Sequence, residues 1–233
     1  MNEVVNNFNQ FFVSVGPDLA DQIPDPATFE EQWDSLIDRN LSSMFLTAVD
    51  EKEIINIVSK CTNKTSKDCD DIDMTVVKRV IEGISKPLTY ICNLSFQTGT
   101  FPDKMKIAKV IPLYKTGNKH QFTNYRPVSL LPQFSKILEK LFNNRLEKFI
   151  DKHKLLTESQ YGFRSNRATS LALIDSVEEI TNSIDLRQYT VGIFIDLKKA
   201  FDTINHDILF KKLDRMASGG KHWSGSRAVC ETG

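Results

Sequence analysis

The chain has 233 residues, of which 40% are hydrophobic, so it can bury a sizeable core in one large domain or two smaller ones. This composition excludes disorder throughout and a fibrous repeat. It also excludes a disulfide scaffold, and the four cysteines form no CxxC pair and have no histidine spacing suited to zinc, which favours reduced thiols over disulfide bridges or bound metal. Apolar runs such as residues 191–195 are far shorter than the roughly 18 residues that span a bilayer, and no secretory leader opens the sequence. We therefore expect a soluble intracellular protein, nuclear or cytoplasmic, with no membrane partner.

The formal net charge of zero conceals an uneven distribution of charge. Residues 1–100 contain 8 Lys and Arg against 16 Asp and Glu, whereas residues 101–170 contain 14 against 5. A basic segment inside a neutral chain is typical of phosphate contact, although a solvated helix face gives the same count. The middle of the chain is thus the candidate nucleic-acid interface.

The N-terminal residues show helical periodicity. Apolar residues between positions 4 and 15 recur every three or four residues, which predicts an amphipathic helix that ends at Gly16 and Pro17. Prolines and scattered acids in residues 17–43 predict a linking segment with little regular structure.

Aspartates mark the starts of the next two helices. Asp50 is placed to cap a helix that contains Ile54, and Asp73 or Thr75 starts another. Four aspartates lie in residues 68–73, but this segment lacks the glycine and glutamate of a calcium loop. We therefore predict a polar loop with a helix cap there.

A β-hairpin and two helices are predicted next. Residues 107–114 and 126–131 are β-prone, and the intervening stretch is polar, basic and contains a glycine. Apolar periodicity after Pro132 predicts a long helix, and a second helix is expected from Thr169.

The last patterned segment joins a strand to a helix. Residues 189–196 are apolar almost throughout, which predicts a central strand covered on both faces. This strand ends at Asp196, which by position alone is either a helix cap or a metal ligand. Asn205 is placed to cap a final helix.

Five stretches of the sequence resemble the motifs of one known family. They are residues 101–103 (FPD), 108–115 (AKVIPLYK), 124–131 (NYRPVSLL), 160–164 (QYGFR) and 194–202 (FIDLKKAFD). In this order and at this spacing, they resemble the motifs of the reverse transcriptase of LINE-type, jockey-like non-LTR retrotransposons. The resemblance covers residues 4–216, and the acidic N-terminal part is similar to the segment between endonuclease and polymerase in these elements. It implies an RNA template, a DNA primer and dNTPs as partners.

The resemblance assigns binding roles to two groups of residues. Lys115 and Arg126 would lie on the two arms of the fingers hairpin that closes on the triphosphate. The template-contact motif would be formed by Gln160, Gly162, Phe163 and Arg164. Without the resemblance, the first group would be surface cations and the second a turn between two helices.

The resemblance also assigns the catalytic residues. Asp196 matches the first catalytic aspartate of the palm, and the backbone carbonyl of Leu197 would be a second contact to Mg²⁺ or Mn²⁺. Ala200 and Phe201 match nucleotide-binding positions. The Phe201 ring would stack under the incoming sugar and clash with a 2′-hydroxyl, which implies preference for dNTPs over rNTPs.

The match breaks downstream of these motifs. The family supplies two further catalytic carboxylates in a Tyr-x-Asp-Asp hairpin, and this chain contains no such motif. Residues 217–233 contain four of the ten glycines and no apolar period, which favours a disrupted end over ordinary divergence. We therefore expect a nucleotidyltransferase domain that is truncated and inactive alone.

The sequence as a whole predicts an α+β fold with polymerase fingers and an incomplete palm. The expected parts are a mostly helical acidic segment (1–100), the fingers and partial palm (101–216) and an unrelated or disordered segment (217–233). The expected function is that of a reverse transcriptase fragment. The alternative is a non-catalytic module, derived from the fingers, that binds RNA or a protein partner.

Overall fold

The computed structural model describes residues 2–20, 42–197, 200 and 203–216. These residues form helices and a two-stranded antiparallel sheet, which confirms the α+β class. The main elements are α1 (Asn2–Ala20), α2 (Glu51–Lys60), α3 (Met74–Thr98), β1 (Lys109–Tyr114), β2 (Tyr125–Leu130), α4 (Gln133–Lys152), α5 (Thr169–Asp185) and α6 (His206–Met216). In the described ranges, every helix is too short or too polar to cross a membrane.

The chain divides into two compact units. The first unit is Met1–Glu147 together with Phe201–Gly233, and the second is Lys148–Ala200. The predicted boundaries after residues 100 and 216 stay predictions. The predicted segment 217–233 and most of the predicted linking segment lie outside the described residues.

Side-chain caps begin the helices of the first unit where the sequence predicts them. The Asp50 carboxylate accepts a hydrogen bond from the Glu53 amide at 2.7 Å, and Asp73 accepts one from the Val76 amide at 2.9 Å. Asn205 likewise accepts from the Ile208 amide at 3.1 Å, at the start of α6. The three predicted caps are thus confirmed, and the aspartates of residues 68–73 include a helix cap.

The core of the first unit lies among α2, α3 and α4. Its buried apolar side chains include Ile54, Val58, Val77, Ile81, Ile137, Leu138 and Leu141. Cys92 of α3 is fully buried with them, and burial raises the pKa of its thiol to about 12. The thiol therefore stays protonated at neutral pH, and Cys61, Cys69 and Cys92 are all free cysteines.

The predicted end of the first helix is wrong. α1 does not end at Gly16 and Pro17 but continues to Ala20. A proline inside a helix removes one backbone donor and crowds the carbonyl four residues earlier, which often ends the helix, but α1 continues as a helix past Pro17. α3 shows the same behaviour, because it contains Pro87 in its interior.

The predicted hairpin is confirmed with its strands shifted by one or two residues. β1 and β2 pair antiparallel, with Lys109 opposite Leu130 and Tyr114 opposite Tyr125. The loop between them begins at Lys115, whose amide donates to the Asn124 carbonyl at 2.8 Å. We refer to residues 109–130 as the hairpin.

A buried carboxylate connects the loop before α3 to the start of α4. Asp68 is 2% exposed and accepts hydrogen bonds from the amides of Asp70 (3.0 Å), Ile72 (3.0 Å) and Gln133 (2.9 Å). Gln133 is the first residue of α4, so the carboxylate satisfies a donor that the helix leaves unpaired and lies at the positive end of the helix dipole. This carboxylate therefore anchors the helix that follows the hairpin.

An arginine of α4 forms the second connection to the N-terminal part. The Arg145 guanidinium makes two hydrogen bonds of 2.9 Å to the Glu53 carboxylate. Its remaining donors reach the backbone carbonyls of Thr47, Ala48 and Leu141. All five guanidinium N–H groups are thus used, and the group also lies 5.3 Å from the centroid of the Phe96 ring.

The second unit does not contain the predicted central strand. Residues 189–197 form no strand pairing, and their apolar side chains are exposed, with Ile193 and Ile195 both at 81% and Phe194 at 99%. A strand exists only where a neighbour pairs with its backbone. The apolar pattern identified a segment suited to burial, but no other described segment pairs with it.

The helix α5 of the second unit, which the sequence predicted from Thr169, is confirmed.

Candidate nucleic-acid interface

The hairpin places two predicted cations at the same end. Arg126 is opposite Leu113 in the strand register, and Lys115 begins the loop two residues further along. Both side chains are exposed, and in residues 42–197 neither forms an ion pair with a carboxylate. The structure therefore brings together the pair that the resemblance assigns to the triphosphate.

The loop between the strands is held by its own side chains. The Asn124 amide donates to the Asn118 carbonyl at 2.9 Å, and the Tyr125 hydroxyl donates to the Lys119 carbonyl at 3.0 Å. Gly117 has φ +98°, and a Cβ there would lie 2.7 Å from Asn124 Nδ2, so only glycine fits this position. The loop is consequently a defined structure with basic side chains on its surface.

A tyrosine precedes each of the two cations in the chain. Tyr114 precedes Lys115, Tyr125 precedes Arg126, and the two tyrosine rings are 5.6 Å apart. The Tyr114 hydroxyl also donates to the Gly117 carbonyl at 2.6 Å. Packing of these rings therefore affects the backbone positions that carry the cations.

The second unit contains the predicted template-contact motif as one compact turn. The Arg164 guanidinium donates to the Thr157 carbonyl at 2.9 Å, and the Gln160 side chain donates to the Gly162 carbonyl at 3.0 Å. The side chain of Phe163 is 93% exposed and its backbone has φ +59°. The turn thus brings the four predicted residues together.

Four further residues support this turn, and the sequence assigned none of them a role. The Tyr161 hydroxyl donates to the Asp175 carboxylate on α5, and this hydrogen bond raises the pKa of the tyrosine. The Arg167 guanidinium lies 5.4 Å from the Tyr161 ring centroid and pairs with Glu158. Tyr161 lies inside the motif itself, whereas its partner Asp175 has no sequence pattern that identifies it.

The predicted catalytic residues lie in the exposed extended segment of the second unit. Asp196 and Leu197 are both exposed, Leu197 at 69%. Ala200 is a half-buried turn residue. Phe201 lies outside the described residues, so its predicted contact with the sugar stays a prediction.

Comparison with known proteins decides the family. Residues 115–227 match the family model described as "Reverse transcriptase (RNA-dependent DNA polymerase)". Across 175 residues, 75% of this chain, the sequence is 33% identical to "RNA-directed DNA polymerase from mobile element jockey" of Drosophila melanogaster. The chain belongs to the reverse transcriptases of non-LTR retrotransposons.

Other RNA-directed DNA polymerases of the same fly are similar over comparable lengths of this chain. "Probable RNA-directed DNA polymerase from transposon BS" is 28% identical over 81% of this chain, and the corresponding protein of transposon X-element is 27% identical over 76%. The matches cover 19% of the jockey protein, 21% of the BS protein and 20% of the X-element protein. The chain therefore spans about a fifth of the length of these relatives.

Reverse transcriptases as a family use divalent metal ions. In the part of the chain that the structure describes, no three His, Cys, Asp or Glu side chains come together as metal ligands. Asp196 is the single predicted metal-binding carboxylate in the exposed segment 189–197. The described residues by themselves therefore do not fit a metal pair, and no catalytic step through a metal follows from them.

Proposed function

We propose that the chain provides the fingers and an incomplete palm of a reverse transcriptase, and that it binds an RNA template and a dNTP without polymerising by itself. The observation that carries this proposal is the position of Lys115 and Arg126. Both are exposed at one end of a defined hairpin, and among the described residues neither is neutralised by an acid. Two such cations form a natural site for a triphosphate.

The chemistry of the two side chains supports this role. A guanidinium offers a planar fork of donors to phosphate oxygens, and an ammonium acts as a point charge. The hydrogen bonds of Asn124 and Tyr125 hold the loop in place before any ligand arrives. Less conformational freedom is then lost on binding, which favours affinity.

The turn around Gly162 supports template binding in a different way. A Cβ at Gly162 would meet only Gln160 Nε2, at 3.9 Å, and the φ of Gly162 is outside the left-handed region. The fold itself therefore does not require glycine there. A glycine lets another backbone approach closely, and Arg164 and the exposed Phe163 supply a phosphate contact and a stacking surface beside it.

The absence of polymerisation follows from the carboxylates. Asp196 would be the first carboxylate of the palm, and the sequence contains no Tyr-x-Asp-Asp motif to supply the other two. With one carboxylate of three, the second metal has no protein ligands and the charge of the transition state is poorly compensated. We infer that Mg²⁺ or Mn²⁺ binds productively only in a complete palm, with Asp196 and the Leu197 carbonyl as this chain's contribution and Ala200 and Phe201 beside the nucleotide.

Template binding is expected to depend on salt and on Arg164. A short fluorescent RNA is titrated with the chain between about 50 and 200 mM KCl, where each phosphate contact to a single strand contributes about 0.7 to the slope of log K against log salt. Arg164→Gln keeps a donor for the Thr157 carbonyl but removes the charge. We expect it to weaken binding roughly 3- to 10-fold and to reduce the slope by about one contact.

The matched control is Lys86→Ala, which removes one exposed charge from α3, outside the basic segment. We expect this variant to bind RNA like the parent chain. If Arg164→Gln and Lys86→Ala behave alike, the template role of the turn is wrong.

Binding of a dNTP is a separate test of the hairpin. A dNTP with Mg²⁺ should bind the parent chain and should not bind the Lys115→Gln variant. Salt-dependent RNA binding without any dNTP binding would instead favour the non-catalytic binding module.

A further inference from the structure

An aromatic cluster joins α1 to the hairpin. The Phe8 ring lies 4.7 Å from the Phe122 ring and 5.0 Å from the Tyr125 ring, both edge to face. Phe11 of the same helix is 5.8 Å from Phe122. Edge-to-face pairs at these separations are attractive beyond the area that they bury. Two segments far apart in the sequence are thus packed against each other within the first unit.

The cluster reaches the residues that carry the predicted site. Tyr125 immediately precedes Arg126 in the sequence, and its ring packs against the ring of Tyr114. Tyr114 in turn immediately precedes Lys115. Phe122 begins the short helical turn that leads from the loop into β2. Phe8 therefore contacts the residue next to Arg126, and that residue in turn contacts the residue next to Lys115.

Outside this cluster, the hairpin has little packing of its own. Val110, Leu113 and Val128 of the two strands are all more than a third exposed. A two-stranded hairpin without further support is only marginally stable in water. The aromatic rings of α1 provide such support at the loop end, where Phe8, Phe11 and Phe12 are partly covered.

We propose that α1 positions the hairpin, with Phe8 as the residue that holds Lys115 and Arg126 in their binding geometry. The dNTP part of this proposal rests on the proposed function of the two cations. The packing part stands on the ring contacts alone. Phe8 is a positioning residue, because it acts on a ligand only through the hairpin.

The test uses the full 233-residue chain and measures amide hydrogen exchange in the hairpin together with binding of dGTP and Mg²⁺. Phe8→Ala is expected to speed exchange at the loop amides, including that of Lys115, roughly 10-fold. It is expected to weaken dGTP binding about 5-fold, because the cations lose their fixed position. Val13→Ala is the matched control, since Val13 lies on the same helix and is 68% exposed.

A second variant separates positioning from a simple loss of helix α1. Phe122→Ala alters the cluster from the hairpin side and leaves the sequence of α1 unchanged, and it should reproduce both effects. The effects of the two substitutions should be less than additive in the double variant, because the two single variants share the Phe8–Phe122 contact.

Each result decides a separate claim. Unchanged hairpin exchange in Phe8→Ala and Phe122→Ala would overturn the packing role. Faster exchange with unchanged dGTP affinity would overturn the positioning of the site. If the parent chain does not bind dGTP, the proposed nucleotide function fails, and the exchange measurements still decide whether α1 holds the hairpin.

Discussion

Asp68→Ala is expected to lower the free energy of unfolding by about 3 kcal/mol, since it leaves one buried and two partly buried amides without an acceptor. These amides belong to Asp70, Ile72 and Gln133. Asp68→Asn should cost about 2 kcal/mol, because one carboxamide oxygen replaces two carboxylate oxygens and the helix dipole of α4 loses its countercharge. Urea unfolding followed by far-UV circular dichroism measures both changes.

The control for this variant is the neighbouring Asp70→Asn. Asp70 is exposed and takes part in the loop through its backbone amide, so we expect a change within about 0.5 kcal/mol. An Asp68→Ala variant as stable as the Asp70→Asn control would show that the carboxylate does not anchor α4.

Arg145→Ala is expected to destabilise the first unit by about 3 kcal/mol, because it leaves Glu53 and several carbonyls without their partner. Arg145→Lys should recover little of this loss. The ammonium of lysine has only three N–H donors. It therefore cannot replace both the bidentate pair with Glu53 and the three hydrogen bonds to backbone carbonyls. The same urea unfolding experiment measures the loss.

Two comparisons make this result specific. Lys140→Ala removes an exposed cation from the same helix and should change stability by less than about 0.5 kcal/mol. In a double-mutant cycle, Glu53→Gln and Arg145→Ala should be strongly non-additive. Additive effects would mean that the pair contributes nothing beyond its two separate side chains.

Most helices and the hairpin could be predicted from the sequence because their determinants are local. Asp50, Asp73 and Asn205 act on amides three residues away, and apolar periodicity marks the buried faces of α2, α3 and α4. The family could be predicted as well, because its motifs are short runs of consecutive residues. α1 shows the limit of such rules, since Pro17 suggested an end that the helix does not have.

The features that could not be predicted depend on distant partners. Four aspartates lie in residues 68–73, and only the position of the start of α4 makes Asp68 the buried one. The contact of Phe8 with Phe122 and that of Tyr161 with Asp175 also join different elements. The strand expected at residues 189–196 was wrong for the same reason, because apolar residues indicate a preference for burial and do not supply a pairing strand.

Primer extension by the 233-residue chain tests the central claim most directly. A DNA primer annealed to an RNA template is incubated with dNTPs and Mg²⁺ or Mn²⁺, beside an Asp196→Asn variant, under salt conditions in which the chain binds the template. We expect template binding and no cDNA from either protein, because two of the three catalytic carboxylates are missing from this sequence. Synthesis of cDNA that Asp196→Asn abolishes would contradict the account and would require the missing carboxylates to come from elsewhere.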